Sequence, residues 1–173
     1  RWTLAVHAMR RMPKPVIGSI RGHAHGGGFN LAMGTDIRIA SETANFAIPF
    51  IKWAMATGVN QLHYQIGLGL ALEMAFTGDS IDAYRAERLG LVNKVVPDGD
   101  LEDATMEFAT RLANGPTRSI GLSKGAIYRG WFRDLDTTLE YQGIAQTFAG
   151  QTEDRAEGQK AFVEKRPPNY SGL

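Results

Sequence analysis

Three consecutive glycines, Gly26–Gly28, follow two histidines, His23 and His25, and precede an amide, Asn30. Glycine lets a ligand come close to the backbone, and the first N–H groups of a helix have no partner inside it. A strand, a glycine run and a helix start together offer donors to an oxygen on which negative charge develops. Imidazoles beside such a loop add groups suited to proton transfer near neutral pH. On an extended segment His23 and His25 face the same way. No third ligand at suitable spacing follows them, so no metal is expected. No Asp, Glu, Lys or Cys follows the glycines before Asp36, and the chain has no cysteine at all. Thiolate chemistry and disulfides are thereby excluded. The loop is not a P-loop, since no Gly-Lys-Ser/Thr follows, and it lacks the GxGxxG pattern with its later acid. On spacing alone, a tight turn that packs helix against strand explains the glycines at least as well. Asn60 and His63 stand three apart, on one face of a helical stretch. A structural or surface role is the default for each histidine.

These residues need elements to hold them. Apolar spacing predicts a helix over 2–12, ended by Pro13 and Pro15, then a buried strand over 14–20. A loop over 22–28 leads to a helix over 29–33. The alternating segment 36–40 (DIRIA) is a strand, and 45–48 (NFAI) is a candidate for another. Together they form a compressed βαβ-like unit. Helical patterns cover 59–66 and 68–76. Asp79 or Ser80 offers a cap for a short helix over 83–89, stopped by Gly90, and 91–96 reads as a strand. Helices follow at 101–113, 117–131, 135–149 and from about 153 to 165, where Pro167 and Pro168 stop the last. The front, 1–97, is α/β; the back, 98–173, is helical.

The 173 residues are 43% hydrophobic and 21% charged, with net charge +1. This is a globular composition with a sizeable core and no basic run that would argue for nucleic acid. No apolar stretch reaches the roughly 18–20 residues of a spanning helix, so no membrane partner is expected. The chain opens on Arg1 inside a helical pattern, which reads as a piece of a longer protein. A cytoplasmic location is the default, with any earlier targeting segment out of view.

Three ordered stretches resemble the crotonase, or enoyl-CoA hydratase/isomerase, superfamily. They are KPVIGSIRGHAHGGGFNLAMGTDIRIASETANFAIPF, LEMAFTGDSIDAYRAERLGLVNKVVP and TEDRAEGQKAFVEKRPPNYSG. The resemblance implies the C-terminal part of a ββα spiral followed by a helical trimerisation region, with assembly as a homotrimer or hexamer. It implies a CoA thioester as substrate and no separate cofactor. Gly27 maps onto one of two backbone N–H donors that hold the thioester carbonyl and stabilise an enolate. Family members are longer at the N-terminus, where the other donor lies. Lys165 maps onto a basic residue near the CoA nucleotide; an exposed, solvated lysine is the alternative.

Two positions depart from the family's hydratases, which carry a glutamate at each. Here they are Asn30 and Phe50. Neither an amide nor a phenyl ring is a general base. Asn30 is left to orient a water or substrate oxygen, or to satisfy the first turn of its helix. Phe50, with Trp53 and Met55, is expected to shape an apolar acyl pocket or simply to pack. The expectation is therefore an acyl-CoA enzyme, lyase or isomerase, with weak or atypical hydratase chemistry and His25 or His23 as candidate proton carriers. A non-catalytic acyl-CoA-binding protein is the alternative, and a structural subunit that binds no CoA a third reading.

Overall fold

The computed structural model describes residues 2–57 and 62–173. They divide into two compact units, one of residues 1–10 and 16–106 and one of 11–15 and 107–173.

In the first unit the early strands go to two sheets in turn. Strands β1 (Ile17–Ile20), β3 (Ile37–Ser41) and β6 (Lys94–Val96) form one parallel sheet in the order β1-β3-β6. Strands β2 (His23–His25), β4 (Asn45–Ala47) and β5 (Ile81–Asp82) form the other, with β2 and β4 parallel and β5 antiparallel to β4. Helix α2 (Gly27–Gly34) lies within the β1–β3 and β2–β4 crossovers, since parallel pairs cannot be joined by hairpins. Its Phe29, Ala32 and Met33 enter a core with Phe46, Ile48, Leu62, Met74 and Leu91.

The start of β3 is fastened by Asp36, whose N–H donates to Val16 O at 2.8 Å while its Oδ2 accepts Val16 N–H at 2.7 Å. Arg38 is buried, and its guanidinium donates to the carbonyls of Leu91 and Thr35. Pairing each donor offsets the cost of removing the cation from water.

Helix α1 (Trp2–Arg11) lies along α2 and runs in the same direction. A Cβ on Gly34 would come within 2.5 Å of Met9 Cε and 3.0 Å of Val6 Cγ2, so glycine there permits the approach. Arg10 Nη2 donates to Met33 O at 3.5 Å beside it.

Several local expectations need correction. Residues 23–25 are a strand rather than loop, because β4 supplies a parallel partner that no local pattern reveals. Helix α2 opens at Gly27, two residues earlier than expected, since the glycines themselves take helical conformation. Neither Asp79 nor Ser80 caps α5 (Ala83–Arg88). The cap is Asp82, whose Oδ1 accepts Arg85 N–H at 2.6 Å, while Asp79 pairs with Lys52 at 3.0 Å. Of 91–96 only the last three residues are strand; Leu91 and Val92 are buried in the turn before it. Helices α3 (Leu62–Ile66) and α4 (Leu68–Thr77) account for the described part of 59–76.

In the second unit α7 (Thr117–Gly130) and α8 (Leu135–Gly150) form a helical hairpin, α8 being capped by Asp134 through Thr137 N–H at 2.9 Å. Segment 11–15 runs close against α7: Lys124 Nζ donates to Lys14 O at 2.9 Å, and a Cβ on Gly121 would meet Pro13 O at 2.1 Å. Helix α6 (Leu101–Ala113) precedes the hairpin in the chain, and α9 (Glu153–Glu164) follows it. The tail folds back on α9. Buried Asp154 accepts Ser171 N–H at 2.7 Å, and Glu157 binds Arg166 at 2.7 and 2.9 Å and Asn169 N–H at 2.8 Å.

Candidate functional site

Gly26 is the hinge between β2 and α2. Its φ of 53° and ψ of −109° suit glycine and strain any other residue. Its own N–H is used by Ala47 O at 3.0 Å, and its carbonyl accepts Asn30 N–H at 3.0 Å. Gly27, half-buried, is the first residue of α2, so its N–H has no acceptor within the helix. The reversal at Gly26 thus presents the Gly27 donor at the positive end of α2.

Two aromatic rings close on these glycines. The ring of Phe50 lies 3.3–3.9 Å from the point a Cβ on Gly26 would occupy. The indole of Trp2 lies 3.0–3.4 Å from the corresponding point on Gly27. Phe50 belongs to a 3-10 helix, Pro49–Trp53, opened by Pro49 and closed by Ala54 in the left-handed region at φ 56°. Trp53 and Met55, grouped with Phe50 in the sequence reading, are 68% and 54% exposed. Met55 N–H donates to Phe50 O at 3.1 Å, which ties the turn but leaves its side chain at the surface. Asn30 sits in the first turn of α2, partly buried.

His23 and His25 do share a face, as the alternation requires: Ala24 between them is buried and their rings lie 4.9 Å apart. Both meet one atom. Asn45 Oδ1, on the neighbouring strand, lies 2.8 Å from His23 Nδ1 and 2.5 Å from His25 Nε2. An amide oxygen accepts only, so the facing nitrogens are the protonated ones. In the neutral rings the lone pairs then fall on His23 Nε2 and His25 Nδ1.

His63 lies on α3 with its ring against Tyr64, while Asn60 falls outside the described residues. Lys165 lies in the second unit, exposed, and closes α9 in the left-handed region at φ 54°. Among the described residues no group of three or more His, Cys, Asp or Glu could hold a metal ion, and no helix is long and apolar enough to cross a membrane.

Trp2 and Asn45 were not legible as neighbours of the glycine loop. Trp2 arrives through the packing of α1 on α2, and Asn45 through the β2/β4 register that places it opposite His23.

The model of the enoyl-CoA hydratase/isomerase family matches residues 4–172. The short-chain-enoyl-CoA hydratase of Clostridium acetobutylicum is 39% identical over 158 residues, 90% of this chain and 60% of its own length. The 1,2-epoxyphenylacetyl-CoA isomerase of Escherichia coli is 36% identical over 170 residues, 96% of this chain and 65% of its own. The chain thus spans under two thirds of the length of these relatives. The crystal structure of an enoyl-CoA hydratase from Bacillus anthracis superposes with a TM-score of 0.93 at 36% identity, covering 99% of this chain and 69% of that one. The mixed α/β unit and the helical C-terminal region have the crotonase-type fold that the three motifs imply. By its sequence over nearly its whole length and by its fold, the chain belongs to the enoyl-CoA hydratase/isomerase family.

Proposed function

We propose that this chain forms the anion-stabilising part of an enzyme that processes acyl-CoA thioesters through an enolate. The observation that carries the proposal is the Gly26–Gly27 hinge, which leaves the first N–H of α2 without an acceptor inside the helix, with two aromatic rings packed against the same two glycines. A thioester carbonyl accepting from Gly27 N–H would gain most as negative charge builds on its oxygen, a donor of this kind contributing about 3–4 kcal/mol. The names of the relatives, hydratase and isomerase, are in keeping with such an intermediate.

Hydration by the family's pair of glutamates is disfavoured, since Asn30 and Phe50 occupy their places. His25 is the candidate for the proton at the acyl α-carbon. It adjoins Gly26, and its Nε2 is engaged by Asn45 Oδ1, which leaves Nδ1 as the nitrogen to take the proton. His23 is a second candidate on the same face. Asn30 and Phe50 serve to bind the acyl group, Trp53 and Met55 to bound it at the surface, and Lys165 to meet the CoA nucleotide. The core of the enzyme spans 1–97 and its helical region 98–173. In the helical region α8 exposes Leu135, Leu139, Ile144 and Phe148, an apolar set in keeping with a trimer or hexamer. A cytoplasmic setting completes the proposal.

Crotonyl-CoA and butyryl-CoA supplied in heavy water, with products read by mass spectrometry, test it. Deuterium uptake at the α-carbon without gain of water is expected. Fast hydration, about 10 per second or more, would overturn the weak-hydratase reading. Bound thioesters without exchange would leave only a binding protein.

A further inference from the structure

We infer that Trp2 is a specificity-determining residue of this site and that, with Phe50, it selects acyl groups that are flat and aromatic. The inference rests on the thioester reading above. Gly26 and Gly27 are consecutive, and each has an aromatic ring where its side chain would be: Phe50 at 3.3 Å and Trp2 at 3.0 Å. A carbonyl oxygen bound to Gly27 N–H sits about 3 Å from that nitrogen. The acyl substituent on the same carbonyl carbon is then within reach of both rings.

Trp2 is held by the packing of its helix. Val6 and Met9 fasten α1 against Gly34, and Arg10 adds its bond to Met33 O. Trp2 and Gly27 lie about two turns back along the two parallel helices. The indole edge facing Gly27 carries Cε2, Cζ2 and Nε1, while 55% of the residue remains exposed. More than half of the ring residue is thus left uncovered while one edge stays against Gly27. Phe50 is likewise only partly buried. Aromatic faces favour offset or edge contacts with other rings over contacts with puckered aliphatic groups of the same size. A carboxylate at position 50 would have offered a ring no such partner.

The test compares phenylacetyl-CoA with cyclohexylacetyl-CoA, which match in size and differ in flatness and π surface. Calorimetric titration of the whole protein gives both dissociation constants. Phenylacetyl-CoA is expected to bind about tenfold more tightly, equivalent to about 1.4 kcal/mol. Trp2→Leu should reduce that ratio to about twofold or less, and Trp2→Phe should retain most of it. Partial exposure of Trp2 makes both variants compatible with folding, and the wild-type ratio is informative without them. Equal binding of the two thioesters, or a ratio unchanged in Trp2→Leu, would overturn the inference and leave the enolate reading intact. Failure of both thioesters to bind wild-type protein would sink the two together.

Discussion

Phe50 packs its ring 3.3 Å from where Gly26 would carry a side chain, at a residue with φ 53° and ψ −109°. Both facts forbid a larger residue. Gly26→Ala should cost about 2–4 kcal/mol, from backbone strain and from displacement of the ring. Chemical denaturation would measure it. The double variant with Phe50→Ala should recover the steric share only, since the strain at Gly26 remains.

Carboxylates placed at the two departing positions should move the chemistry toward hydration. Asn30→Glu with Phe50→Glu is expected to raise crotonyl-CoA hydration at least about tenfold, below the full range of general acid–base catalysis. Loss of the conjugated enoyl absorbance reports the rate. No gain in the double variant would mean that geometry elsewhere in the site, and not these two residues, limits hydration.

His25→Gln should reduce α-deuterium uptake about 100-fold if His25 carries the proton. Asn45→Leu should lower it less, by releasing the tautomer rather than removing the base. Uptake that stays at the wild-type rate in His25→Gln would remove His25 from the mechanism.

In the second unit, Gly121→Ala would drive a methyl to 2.1 Å from Pro13 O, a backbone atom that cannot step aside. A loss of about 1–3 kcal/mol is expected, as for an overpacked core. Gly125, one turn along α7, meets nothing within 4 Å, so Gly125→Ala is the matched control and should be neutral or stabilising.

Hydrogen bonds from Arg166, and then from Asn169 N–H, hold the Glu157 carboxyl at about 2, against an ordinary 4.5. A depressed carboxyl contributes stability that is complete above its unfolded value and is lost as pH falls through its folded one. The tail over 166–173 should therefore stay fastened down to about pH 4.5 and loosen progressively as pH falls toward 2. Hydrogen exchange of the tail amides against pH reads this directly. Glu157→Gln should leave the tail less protected at neutral pH and remove its acid-dependent step.

The helices of the second half were legible almost to the residue because their signals are local. Asp134 and Thr152 cap α8 and α9, and Pro167 and Pro168 stand beyond the last helix. The glycine loop was legible as chemistry through its composition and its place before a helix. Strands β2 and β5 were not, being three and two residues long, too short to show alternation. Their existence depends on partners far along the chain. The cap of α5 was misread for a related reason: Asp79, Ser80 and Asp82 all suit the role, and only the path of β5 decides among them. The aromatic pair at the glycines was half visible. Phe50 announced itself as a departure from a motif, whereas Trp2 reaches Gly27 only through the packing of Val6 and Met9 on Gly34.

The alternation of early strands between two sheets also dictates an order of events as the chain folds. Ile17 waits for Ile37, His23 for Asn45, and Ile39 for Lys94, so among the described strands neither sheet starts from a hairpin of adjacent strands. Long loops must close before either sheet returns any free energy, which makes this half slow to form. The hairpin of α7 and α8 needs only a four-residue turn, 131–134, and can form early. On a ribosome the first sheet cannot be completed until β6 has emerged. Until then the edge of β3 that β6 will cover stays unpaired, the kind of edge that invites pairing with other chains.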